Sequence, residues 1–175
     1  VAAKQPGEVK AFLHGGRARL TGDGVRRTWT YDQDRYGPAA QLLSWTFAPG
    51  ATITAKSGEL TYIKGDYAAF PYLETAAAEF TAPWLTVLKP AAAGASPDFT
   101  VEDRSTPGRA ALLIRTPAGE TLVTAASARG AVTIGDIATD GSLVIVRRDR
   151  KGDVINYSAP DATTLVVDGE TLPLP

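Results

Sequence analysis

Apolar and polar positions alternate along this chain in short runs broken by turn residues, the period-two signature of strands lying half-buried on a sheet. The runs predict strands over residues 9–13, 18–20, 25–31, 41–47, 52–55 and 59–63. A second set covers 84–88, 110–115, 121–125, 131–134, 143–148, 154–157 and 164–167. All are rich in Val, Ile, Leu, Thr and aromatics, which suit a pleated surface. Between them stand Gly22-Asp23-Gly24, Pro49-Gly50, Pro117-Ala118-Gly119, Asp140-Gly141, Lys151-Gly152 and Asp168-Gly169, residues that supply the dihedrals of tight turns. Helix signal is confined to 73–80, where Glu74, three alanines and Glu79 favour a helix of two turns at most, or an extended edge. Many short strands with Gly/Pro turns predict an all-β fold, an antiparallel β-sandwich with little or no helix.

Composition shifts near Pro90. Twelve of the fourteen aromatics, all but Phe99 and Tyr157, fall within residues 1–90. Residues 90–97 read as an exposed connector, and the strands beyond it are aliphatic. The expected organisation is one sandwich domain over 1–175 with a shared core, made of an aromatic-rich part (1–90) and an aliphatic meander (98–175). The opening at Val1, without Met, suggests a fragment of a larger protein or a mature chain, periplasmic or secreted.

The 175 residues include no cysteine, no methionine and a single histidine. That excludes disulfides, thiol nucleophiles, iron–sulfur clusters and Cys-based zinc sites. With 18 Lys+Arg against 19 Asp+Glu the net charge is -1, which argues against nucleic acid or an anionic membrane as the main partner. No apolar run is long enough to span a bilayer.

Few side chains remain that carry chemistry. His14 ends an alternating run and reads either as a base or metal ligand, or as a strand-end histidine bonded to nearby backbone. Asp32 and Asp34 fail the calcium-loop pattern because Tyr36 takes the next ligand position, and they read as a solvated loop in preference to an acid/base pair. The Arg147-Arg148-Asp149-Arg150-Lys151 cluster reads as a solvated hairpin tip that blunts an edge strand, in preference to a polyanion site. The aromatics Trp29, Tyr31, Tyr36, Trp45, Tyr62, Tyr67, Tyr72 and Trp84 divide between core and ligand contact. Rings with a polar edge stack on sugar faces, and an arginine fork suits a uronate carboxylate. On that basis Arg26, Arg27, Trp29, Tyr31, Tyr36 and Tyr67 are the candidate substrate-binding residues, with an acidic polysaccharide or oligosaccharide as partner.

Three segments resemble the C-terminal β-sandwich of heparinase II/III-type polysaccharide lyases. They are Ala11-Phe12-Leu13-His14-Gly15-Gly16, Pro83-Trp84-Leu85-Thr86-Val87-Leu88-Lys89-Pro90, and the closing meander from Leu143 to Leu172. The resemblance covers most of the chain, but its motifs are strand patterns and none is a catalytic signature. It implies a parent protein performing β-elimination on uronic-acid polysaccharides, with an N-terminal helical domain as partner. In the family the catalytic Tyr, His, Asn and Arg groups come mostly from that helical domain and an upstream stretch of sandwich, so no catalytic residue carries over. The implied role is an accessory module, inactive alone, that supports the structure and one wall of an acidic-sugar cleft. Some relatives hold a structural metal through a histidine, a role that only His14 could match. Two alternatives stand beside it, a stand-alone carbohydrate-binding module and a purely structural or adhesive sandwich.

Overall fold

The computed structural model describes residues 8–33, 37–62, 66–79 and 81–174. Among them are sixteen strands and no helix, arranged in four antiparallel sheets. The chain forms two compact units, Val1–Phe80 with Thr86–Pro97, and Thr81–Leu85 with Asp98–Pro175. Each unit contains a cluster of buried side chains.

The first unit contains β1 (Val9–His14), β2 (Arg19–Thr21), β3 (Arg26–Tyr31), β4 (Ala40–Phe47), β5 (Thr52–Tyr62), β6 (Asp66–Ala77) and most of β7 (Leu85–Ala92). They form two sheets of order β1-β6-β5 and β2-β3-β4-β7. Ala18, Trp29 and Leu73 are buried between them, with Leu13, Leu20, Tyr31 and Leu42 packed around. The stretch with local helix preference is the end of β6, the central strand of its sheet. Leu73, Thr75 and Ala77 are buried at every second position, and pairing with β1 on one side and β5 on the other outweighs the alanines' propensity.

The second unit contains β8 (Thr100–Asp103), β9 (Arg109–Thr116), β10 (Gly119–Ala126), β11 (Val132–Ile134), β12 (Ile137–Thr139), β13 (Leu143–Asp149), β14 (Val154–Ser158), β15 (Leu165–Val167) and β16 (Glu170–Thr171). A sheet of order β14-β13-β10-β9-β8 packs on one of order β11-β12-β15-β16. Leu122, Val144 and Val146 of the first meet Ile134, Ile137, Leu165 and Val167 of the second. The link between β15 and β16 is the two-residue turn Asp168-Gly169, with φ of 54° and 80°. Positive φ at both central positions is what a tight hairpin of right-twisted strands requires, and Asp-Gly accommodates it.

Candidate functional site

The predicted sugar-binding residues do not assemble into one open surface. Trp29 is fully buried, and its indole N–H donates to Ser44 Oγ at 2.9 Å. Its ring lies against Gly15, where a Cβ would stand 1.9 Å from Trp29 Cε3. Trp29 is therefore a core residue and not a stacking platform, which corrects the expectation from sequence. Arg27 is buried as well, donating through Nη1 to the Arg26 carbonyl at 3.2 Å while its Nε has no partner. Neighbouring residues on a strand face opposite ways, so Arg26 lies across the sheet from Arg27, its guanidinium 5.3 Å from the Trp45 ring centroid. The two arginines thus make no fork beside Trp29. Tyr31 is half-buried against the Trp29 cluster, and that burial pushes its phenol pKa up. Tyr36 lies outside the described residues. Tyr67 stands opposite Thr61 in the β5–β6 ladder, and its side chain also lies outside what is described.

A different surface gathers three rings, Phe12 and His14 exposed and Tyr72 half-buried. Along β1, Val9 and Leu13 are partly buried, so the alternation turns Lys10, Phe12 and His14 outward. His14 pairs with Tyr72 of β6, and Phe12 pairs with Glu74. The His14 and Tyr72 rings stack with centroids 5.4 Å apart, and Phe12 completes the group at 6.0 Å from Tyr72 and 6.3 Å from His14. Phe12 is 52% exposed, and it is the grouping with His14 and Tyr72, not the exposure alone, that sets it apart from exposed apolar residues such as Ile155 and Leu88. Tyr72 leans across the sheet towards β5, where a Cβ at Gly58 would stand 3.2 Å from its Cε1. The absence of a side chain at Gly58 lets the phenol ring lie down along the sheet.

Polar groups border the rings. Lys56 of β5 bonds Glu74 at 2.5 Å, and Lys10 pairs with Glu8 at 2.9 Å. The Lys56 hydrogen bond holds the Glu74 carboxyl below the usual carboxylate range. The Glu8 hydrogen bond, with Glu74 nearby, raises the Lys10 ammonium. Thr54, opposite Glu74 in the ladder, adds an exposed hydroxyl. The result is a small aromatic patch with hydrogen-bond donors and acceptors at its rim, suited to a ligand with an apolar face and hydroxyl edges. Tyr72 is among the aromatics the sequence suggests, but Phe12 is not. The signal for it was the phase of Lys10, Phe12 and His14 against Val9 and Leu13.

His14 has aromatic neighbours rather than ligating ones. Among the described residues no group of three or more His, Cys, Asp or Glu side chains is placed to hold a metal ion. Asp32 pairs with Arg19 at 2.8 Å in an exposed loop, and Asp34 lies outside the described residues.

The second unit has a cavity of about 150 Å³ lined by Arg104, Arg115, Arg148, Glu120, Asp136 and a floor of leucine and isoleucine. Arg148, expected at a solvated hairpin tip, is instead buried. Its guanidinium reaches Glu120 at 3.3 Å, Asp136 at 2.7 Å and Asp168 at 3.1 Å. Glu120 belongs to the five-stranded sheet, while Asp136 and Asp168 sit in turns of the four-stranded one, so Arg148 clasps the two sheets. Asp168 hydrogen-bonds Asp136, which raises the Asp168 pKa; burial raises Asp136 but is outweighed by its bonds to Asp168 and Arg148. Arg104 and Arg115 are both engaged by Glu102 at 2.8 Å. These charges satisfy one another and form a structural clasp.

No model of a protein family matches the chain, and no curated protein matches it.

Proposed function

We propose that this chain is a carbohydrate-contacting β-module that does no chemistry by itself. The observation that carries the reading is the Phe12–His14–Tyr72 group on the β1-β6-β5 sheet, with Phe12 and His14 exposed and Tyr72 half-buried, rimmed by Lys10, Lys56, Glu74 and Thr54. Sugars present a face of C–H groups that stacks on aromatic rings and an equator of hydroxyls that needs both donors and acceptors. A shallow, open sheet face suits an extended glycan better than a small substrate that must be enclosed for reaction.

The test is affinity electrophoresis of the chain in gels carrying dissolved polysaccharides. Migration slowed by a glycan, and restored by Phe12→Ala or Tyr72→Ala in variants of unchanged circular dichroism, supports the reading. Retardation that both variants keep would contradict it.

The narrower reading, an accessory sandwich of a polysaccharide lyase-like protein in the periplasm or outside the cell, draws its support from the three resembling segments. In the first of these, Leu13 packs in the core and Gly15 makes room for Trp29, so the segment also has a packing explanation. This reading predicts that the chain alone yields no unsaturated uronide, followed by ultraviolet absorbance, from any acidic polysaccharide.

A further inference from the structure

The aromatic face carries charges whose arrangement discriminates between classes of glycan. Lys10 is matched by Glu8 at 2.9 Å and Lys56 by Glu74 at 2.5 Å, so two cations meet two anions. The two pairs are joined, because Glu74 also acts on Lys10 electrostatically. A uronate or sulfate group arriving here finds no arginine fork and no uncompensated ammonium among these residues. The ammonium groups have N–H donors to spare, but their charge is already met, so an incoming anion gains no net attraction and faces Glu74 and Glu8 as like charges. A neutral sugar meets no such obstacle. Its hydroxyls can donate to the carboxylates and accept from the ammonium groups without breaking either pair, while its C–H face lies on Tyr72 and Phe12.

Resting on the carbohydrate reading above, we infer that the ligand of the Phe12–His14–Tyr72 face is a neutral glycan and that Glu74 excludes acidic ones. Glu74 is the specificity-determining group because it stands between Lys10 and Lys56 and cancels their field where Phe12 and Tyr72 meet. Exclusion by an unfavourable charge is a common route to specificity, and it makes the selectivity switchable by one substitution.

The experiment compares wild type, Glu74→Gln and Phe12→Ala by affinity electrophoresis at low and at physiological ionic strength. The probes are mixed-linkage β-glucan, xyloglucan and galactomannan as neutral glycans, and polygalacturonate, alginate and heparin as acidic ones. The wild type is expected to be retarded by at least one neutral glycan and by none of the acidic ones, with little effect of salt. Phe12→Ala should weaken that retention at least tenfold. Glu74→Gln frees one positive charge and should gain salt-sensitive retention by the acidic glycans. Retention of the wild type by acidic glycans as strong as by neutral ones, or failure of Glu74→Gln to gain any, overturns the inference about charge while leaving the carbohydrate reading in place. If no glycan of either class retains the wild type, the carbohydrate reading itself falls.

Discussion

At Gly15 the chain has no room for a side chain, because the Trp29 ring occupies the place where a Cβ would be. Gly15→Ala should therefore destabilise the first unit by about 3 kcal/mol, the scale of overpacking in a close-packed interior. Urea denaturation reads this as a lower midpoint with unchanged slope. Phe12→Ala, removing a half-exposed ring, should move that midpoint little. The contrast shows what alternation tells and what it hides. Strand β3 was legible, as was the shared face of Trp29 and Tyr31, but not which face of the sheet turns inward. Both faces of β3 and β4 carry large apolar residues, Trp29 and Leu42 on one, Leu43 and Trp45 on the other. Phe12 was missed for the opposite reason, since a phenylalanine in a strand reads as core until its neighbours' burial is known.

At the scale of elements, alternation made most strands legible, even the three-residue β2, β11 and β15, whereas β6, the longest at 12 residues, was hidden by the local helix preference of its end, and β8, β12 and β16 are too short to show a period. What holds the short ones is polar and non-local. Asp140 accepts from Thr163 Oγ1 at 2.6 Å and from the Thr163 and Thr164 N–H groups at 2.8 and 2.9 Å, and also pairs with Arg129. Asp161 accepts from Ser142 Oγ at 2.5 Å and from the Ser142 N–H. Beneath them the buried Arg109 donates to the Gly141 carbonyl at 2.9 Å. The two aspartates thus staple the 140–143 and 161–164 loops reciprocally. The Thr163 and Ser142 hydrogen bonds depress both carboxyls. A depressed carboxyl stabilises fully above its unfolded pKa of about 3.9 and loses that contribution as pH falls through the folded value. Asp168, raised by Asp136, works with the opposite slope, but the two staples outnumber it. The thermal midpoint of the second unit should fall with acid below about pH 4, and Asp140→Asn should show a shallower fall from a lower starting value. A midpoint flat from pH 6 to pH 2 would contradict this. Arg148→Met should cost about 1–2 kcal/mol, less than a fully buried pair would, because its carboxylate partners keep part of their hydration.

For the molecule as a whole, the aromatic-rich and aliphatic stretches lie mostly in different compact units, the second made of Thr81–Leu85 and Asp98–Pro175. The aromatic bias of the first unit reflects two uses of large rings, Trp29 sealing its core and Phe12, His14 and Tyr72 lying on an outer face. Because the proposed face is built from Phe, His and Tyr, glycan binding there should leave the tryptophan emission of the chain, from Trp29, Trp45 and Trp84, largely unchanged, a negative control within the same titration. The most direct test of the account is a ¹⁵N/¹³C NMR titration of the intact chain with neutral β-glucan or galactomannan oligosaccharides, after the gel screen has chosen between them. Shift changes confined to Lys10, Phe12, His14, Lys56, Tyr72, Glu74 and their immediate neighbours are the predicted result. Changes centred on the Arg148 cleft or elsewhere, with the Phe12–His14–Tyr72 resonances unmoved, would contradict it.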